Sequence, residues 1–265
     1  MISKSQIKFV KQLEQKKHRQ REGLFVAEGP KVVGDLLATG FRPVQVFATD
    51  AWESPSGVSS VLQVITDDEL RKLSFLQHPQ QVLAVFPLPQ HSVSSTENTE
   101  NTEGKKNNSV SSVSSVDNTN HFILALDGVQ DPGNLGTIIR IADWFGISRI
   151  VCSPDTADAW NPKVVQATMG SIARVSIVYT DLKEYLNATS LPVYGTLLDG
   201  ENIYEKELPR EAIIVMGSEG NGISPEVRQL VIDKLLIPRF REGAESLNVA
   251  IATAITCSEF CRRSI

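Results

Sequence analysis

Cysteine is scarce in this 265-residue chain, which holds only Cys152, Cys257 and Cys261. Three thiols cannot build a disulfide framework, and a reducing cytoplasm is the expected compartment. Cys257 and Cys261 stand one helical turn apart in an apolar segment, with no neighbouring Cys or His to complete four ligands; buried thiols are expected there, and no metal. No apolar run approaches the roughly 18 residues that span a bilayer. The opening stretch, MISKSQIKFVKQLEQKKHRQR, has no apolar core of a secretory signal, so no membrane partner is expected. The loop G-x-x-x-x-G-K-[ST] is also missing, which excludes an ordinary P-loop NTPase. Net positive charge is absent too: the balance is −5, against wholesale coating of nucleic acid.

What is present is unevenly distributed. Residues 1–31 carry eight Lys or Arg against three Glu, a local excess that fits a phosphate-backbone footprint and equally a solvated helix face. Lys16, Lys17, Arg19 and Arg21 are its densest part and the candidate RNA-binding residues. Residues 91–120 hold 18 Ser, Thr or Asn out of 30 and only four Val. Such a composition cannot bury enough surface to offset its ordering entropy. The expected organisation is a first domain over 1–88, a disordered linker over 89–120 and a second domain over 121–265.

Both domains read as α/β. The first opens with a basic amphipathic helix, followed by a strand into a helix in GLFVAEGPKVVGDLLATG. A strand in VQVFATD, a capped helix in DDELRKLS and a closing strand in VLAVFPL complete it. The second alternates more strongly. FILALDGV, RIVCS, RVSIVYT, PVYGTLLD, AIIVMG and KLLIP read as strands, several continuously apolar as buried parallel strands are. Helical stretches fall at 135–147, 162–170, 181–189 and 224–233, and a last, Ala-rich helix from 246 looks buried on all sides. The expected result is a parallel sheet with helices on both faces, and ligands in such sheets bind beyond the carboxyl ends of the strands.

Three polar constellations fall at such ends. LDGVQDPGNLGTIIRIADWFG (126–146) has an apolar stripe of Leu135, Ile138, Ile139, Ala142 and Phe145, with Thr137, Arg140 and Trp144 on a different face. Asn134 reads as an N-cap and Arg140 as a surface residue, or both as site residues. GSEGNGIS (217–224) places Glu219 in a glycine-rich turn after a strand. A fixed carboxylate would repel a phosphate, and G-x-x-G-x-G matches neither the dinucleotide fingerprint nor the P-loop. IPRFREGAESLNVAIATAI (237–255) begins a buried helix on Ser246-Leu247-Asn248. One such feature is weak; three at neighbouring strand ends form a candidate site.

These stretches resemble the three motifs of the SpoU (TrmH-type) RNA ribose 2′-O-methyltransferases of the knotted SPOUT superfamily. The matches are N-x-x-x-x-x-R at Asn134 to Arg140, G-S-E-G-N-G at 217–222 and S-L-N-V at 246–249, and the resemblance covers about residues 122–263. Residues 19–86, with RQREGLFVAEGPKVV, look like the RNA substrate-binding domain preceding the catalytic domain in many rRNA members. The Ser/Thr/Asn-rich insertion departs from the family's short linker.

The resemblance implies a C-terminal trefoil knot and a homodimer with its active site near the dimer interface. It also implies S-adenosylmethionine as methyl donor, held by backbone at Leu197, with the loop after it, Gly217, Ile237 and Leu247. The glycines of the turn would let backbone approach that donor. The implied reaction is 2′-O-methylation of a ribose in structured RNA, with ribosomal favoured over transfer RNA. The alternatives are a tRNA ribose methyltransferase and a catalytically inactive RNA-binding protein of the same fold. An inactive member should lose polar motif residues, whereas Asn134, Arg140, Glu219, Ser246 and Asn248 all remain. Arg140 is the family's proposed base, assisted by a substrate phosphate. A guanidinium with a pKa above roughly 12 resists deprotonation, so clamping the phosphate and stabilising the alkoxide is the other reading. Asn134, Ser246 and Asn248 would orient Arg140, Glu219 and the ribose.

Overall fold

The computed structural model describes residues 1–89, 121–241, 243 and 246–262. The linker read at 89–120 therefore lies, from residue 90 on, outside the described residues.

Before that segment lie α1 (Lys4–Gln12), α2 (Lys16–Glu22), β1 (Leu24–Glu28), α3 (Pro30–Ala38), β2 (Gln45–Ala48), β3 (Leu62–Val64), α4 (Asp67–Leu73) and β4 (Val82–Pro87). The strands form one sheet in the order β1-β4-β2-β3. β4 runs antiparallel to both neighbours, and β3 pairs parallel with β2. The short edge strand β3 was not legible in the sequence, because three residues are too few to show a period. The single basic helix expected at the N-terminus is two helices. Ser3 caps the first in a reciprocal box with Gln6. The chain then breaks, burying Val10 and Leu13 fully against Phe47 and Leu70. At the break Arg19 Nη1 donates to the carbonyls of Leu13 (2.7 Å) and Glu14 (2.6 Å), satisfying acceptors the helix has released.

After the segment come β5 (His121–Asp127), α5 (Pro132–Trp144), β6 (Arg149–Cys152), α6 (Pro162–Ala167), β7 (Ser176–Tyr179), α7 (Leu182–Ala188), β8 (Val193–Asn202), β9 (Glu211–Gly217), α8 (Pro225–Arg228), β10 (Asp233–Leu236) and α9 (Val249–Arg262). The six strands are parallel, in the order β10-β8-β9-β5-β6-β7. Alternate residues of β5 enter opposite layers. Phe122, Leu124 and Leu126 join the core with Ile138 of α5, Val164 of α6 and Phe260 of α9, while Ala125 joins Leu182 of α7 and Val227 of α8. Both faces are covered, which is why the strands are continuously apolar.

Two helices differ from expectation. The one read over 224–233 is a single turn, because Ile232 N already donates to Val193 O (2.9 Å) and the chain is committed to the sheet edge. The last helix starts at Val249, and it is not buried all round: Ile251 is 52% exposed.

The two sheets share one seam. The Phe25 ring of β1 lies 4.5 Å from that of Trp160; Phe25 belongs to the larger core cluster and half-buried Trp160 packs against it. Arg19 Nη2 meets Asp158 at 2.5 Å. Asp35 of α3 pairs with Arg174 (3.2 Å), which also grips Asp143 of α5 (2.7 Å). Burial works against the Asp143 charge, but hydrogen bonds from Arg174 and Ser171 outweigh it and hold the carboxyl below its ordinary value. Arg19 is 1% exposed and carries three hydrogen bonds. It therefore drops out of the expected RNA-binding set, whereas Lys16, Lys17 and Arg21 are exposed.

Candidate functional site

The first motif lies in the opening turn of α5. Asp131, not Asn134, is the N-cap: its Oδ1 accepts from Asn134 N at 2.8 Å, with Pro132 at the first helical position. Asp131 precedes the proline that opens the helix, so it takes the extended backbone a cap needs and leaves the Asn134 side chain unused by the helix. That amide turns outward. Its Nδ2 donates to Glu219 Oε1 in a short contact, and its Oδ1 accepts from Asn248 Nδ2 at 2.9 Å.

The second motif is a tight turn closed on itself. Ser218 and Gly222 exchange two backbone hydrogen bonds of 3.0 Å, which sets Glu219 at the exposed tip. A Cβ on Gly217 would come within 2.2 Å of the Gly222 carbonyl carbon. The first demand for glycine at 217 thus comes from the turn itself rather than from a ligand. Asp127 at the end of β5 accepts from Ser224 N (2.7 Å), tying the far side of the turn to the neighbouring strand.

The third motif caps α9. Asn248 Oδ1 accepts from the backbone of Ala250 (3.0 Å) and Ile251 (3.3 Å), so its amide nitrogen is left pointing at Asn134. One hydrogen-bonded chain, Glu219–Asn134–Asn248, thereby joins residues 85 and 114 positions apart.

Beside this chain opens a cleft of about 750 Å³ at the carboxyl ends of β8, β9 and β10. Leu197, Gly217, Ile237 and Leu247 all line it, together with Glu219 and Ser246. The loop expected after Leu197 is a bulge within β8. Gly195 pairs with Lys234 and Glu201 with the very next residue, Leu235, so residues 196–200 are pushed out of register, and 196–199 enter the cleft wall. Gly200 permits the return, since a Cβ there would meet the Leu235 backbone at 2.6–2.8 Å. The bulge also carries a polar group that sequence reasoning missed. Asp199 accepts from Lys234 (2.8 Å) and Arg228 (2.6 Å), and the Lys234 hydrogen bond with Arg228 beside it holds its carboxyl below the ordinary value. Its only signal was an Asp-Gly pair at a strand end.

Arg140 stands apart. It is exposed two turns further along α5, outside the cleft lining, and makes no hydrogen bond or ion pair among the described residues. Cys152 and Cys257 are buried, and burial pushes the Cys152 thiol up to about 12. Among the described residues no group of three or more His, Cys, Asp or Glu is placed to hold a metal ion, and no helix is long and apolar enough to cross a membrane.

Comparison with known proteins sets this geometry in a family context. The model of the SpoU rRNA Methylase family matches residues 121–258, and that of the MRM3-like substrate binding domain matches residues 4–84. A Bacillus subtilis protein, 23S rRNA (guanosine(2553)-2′-O)-methyltransferase RlmP, is 30% identical over 256 residues, covering 94% of this chain and 93% of its own. A solved TrmH-family structure from Porphyromonas gingivalis superposes with a TM-score of 0.80 at 41% identity, over 99% of both chains. An rRNA methyltransferase from Sinorhizobium meliloti, solved with AdoMet bound, has a TM-score of 0.80 at 27% identity, over 100% of this chain and 97% of that one.

Proposed function

Because the chain belongs to the SpoU rRNA methylase family, we propose that it methylates a ribose 2′-hydroxyl of ribosomal RNA, with S-adenosylmethionine as donor. The observation that carries this reading is the hydrogen-bonded chain Glu219–Asn134–Asn248, which assembles all three motifs at the mouth of one cleft. The cleft suits the donor: its volume is in the range of small-molecule sites, it pairs apolar walls with turn backbone and carboxylates, and the cation in its lining, Arg228, is already paired with Asp199.

When bound, S-adenosylmethionine supplies an electrophilic methyl group on a sulfonium. Leu197, Ile237 and Leu247 would enclose it, and the backbone at Gly217 would hold its polar edges. Glu219, held by Asn134, places a carboxylate near a cation on one side and a neutral hydroxyl on the other, so charge does not oppose either partner. Asn248 and Ser246 complete the polar rim. In-line transfer depends chiefly on alignment, which these fixed groups provide. Arg140, whose side chain has no partner among the described residues, meets the RNA phosphate and stabilises the developing alkoxide, or takes the hydroxyl proton with that phosphate's help.

Residues 1–88 act as the RNA substrate-binding domain and 121–265 as the methyltransferase domain, joined by the 89–120 linker. The segments bearing the second and third motifs form the trefoil knot of the superfamily. The protein works as a homodimer, a reading supported by exposed Trp144 and Ile251 on the packed helices α5 and α9. Three free cysteines and an rRNA substrate support a cytoplasmic location. Incubation with labelled donor and rRNA from a strain lacking this protein should place label on one nucleotide as an alkali-resistant 2′-O-methyl group. Absence of label from all RNA would contradict the reading.

A further inference from the structure

Phe240 is 95% exposed, the most exposed large apolar side chain of the described residues after the terminal Met1. It sits between Arg239 and Arg241, both exposed, in the chain that leaves β10 for α9. Ile237 before this stretch and Ser246 after it line the donor cleft. Three residues of extended chain span at most about 11 Å, so Phe240 lies within that distance of Ile237 in the cleft wall.

We propose that Phe240 is a stacking platform for a nucleobase of the RNA substrate, at or immediately beside the nucleotide whose ribose is methylated. This rests on the methyltransferase reading, and it adds a residue that contacts the substrate base. Among the described residues the Phe240 ring belongs to no core cluster, so its exposure is not offset by packing there. An aromatic ring interleaved with guanidinium groups is the combination that single-stranded RNA uses, its base on the ring and its phosphates on the cations. The reaction itself brings such a strand here. Sequence-specific RNA recognition mostly targets single-stranded nucleotides splayed from the helix, and a base unstacked beside the reacting ribose needs a new apolar face. Phe240 offers one close to the cleft wall, with exposed Arg241 beside it for a flanking phosphate.

The test compares Phe240→Leu and Phe240→Trp in the full chain, with no folding penalty expected at so exposed a position. Phe240→Leu should weaken binding to rRNA and raise the KM for RNA about tenfold, as loss of one base stack does. Donor affinity by calorimetry and turnover at saturating RNA should stay unchanged. Phe240→Trp should restore the affinity, because a larger aromatic face stacks at least as well. On RNA fragments with an abasic nucleotide at or next to the mapped site, wild type and Phe240→Leu should become equal at one of those positions. Equal RNA affinity of Phe240→Leu and wild type on intact rRNA would overturn the proposal. So would a loss that persists on every abasic substrate, or sedimentation showing that Phe240→Leu changes the oligomeric state, which would make the ring a contact with a second copy. Failure of the wild-type protein to methylate any RNA would overturn the activity reading instead, and the rRNA-binding comparison would still decide the role of Phe240.

Discussion

Arg19 and Arg140 each lie on a helix beside one of the two meeting places of this molecule, the domain seam and the donor cleft. Arg19 is 1% exposed and bonded to two carbonyls and the Asp158 carboxylate. Arg140 is exposed and makes no bond among the described residues. The seam uses polar side chains to satisfy one another, as the Asp35–Arg174–Asp143 bridge does too. The cleft leaves its polar groups facing outward, with Glu219 at the tip of a turn and Asn248 exposed. Positive charge therefore divides into a share bound within the fold, as Arg19 is, and a share left without a side-chain partner among the described residues, as Arg140 is; partners rather than burial separate the two, since Arg174 is exposed and still bridges the seam.

The largest expected effect separates these shares. Arg19→Ala should destabilise the fold by about 3–5 kcal/mol, since it strands Asp158 and two carbonyls in the seam. Denaturant titration would measure it, beside an Arg140→Ala control that should unfold at the wild-type midpoint. An Arg19→Ala protein of normal stability that has lost RNA affinity would reverse the assignment.

A smaller effect sharpens the exposed side of the comparison. Neutralising Lys16, Lys17 and Arg21 together should weaken rRNA binding at low salt and reduce the slope of log affinity against log salt by roughly 2. Donor affinity should be unaffected. An unchanged salt slope would place the phosphate contacts elsewhere.

The smallest effect concerns Glu28, buried at the end of β1. Burial raises its carboxyl above the ordinary value, although Ser74 and the Phe75 backbone donate to it. A raised folded value means that the folded state holds this proton more tightly than the unfolded chain. The resulting stabilisation is full below the unfolded value and is lost as pH rises through the folded one. Relative to Glu28→Gln, the wild type should lose stability from about pH 4 to about pH 7. Denaturation midpoints of both proteins at the two pH values would show it; a constant difference would mean that Glu28 does not titrate in that interval.

Much of the fold was legible because period and composition are local. The six apolar strands of the parallel sheet follow from short windows. The site was legible only as parts. Nothing local relates Asn134 to Glu219 and Asn248, 85 and 114 residues away, since the hydrogen bonds joining them depend on strand order and on where each turn ends. Asp131 and Asn134 are both good cap residues, and only backbone geometry selects Asp131 and frees Asn134. Arg19 reads as one more cation in a basic stretch until the break between α1 and α2 turns it inward. The bulge of β8, with Asp199 on it, arises from register against a strand more than thirty residues later, which no window can contain.

The role of Arg140 is tested most directly by single-turnover methyl transfer with saturating rRNA and donor, comparing wild type, Arg140→Ala and Arg140→Lys. Arg140→Ala should lose transfer by about 10²–10³-fold or more, as removal of a fixed transition-state donor does. Arg140→Lys should also be severely impaired, because a point ammonium does not reproduce the planar fork. Donor binding by calorimetry should survive in both variants. Near-normal transfer by Arg140→Ala would contradict the assignment of this exposed arginine to the chemistry.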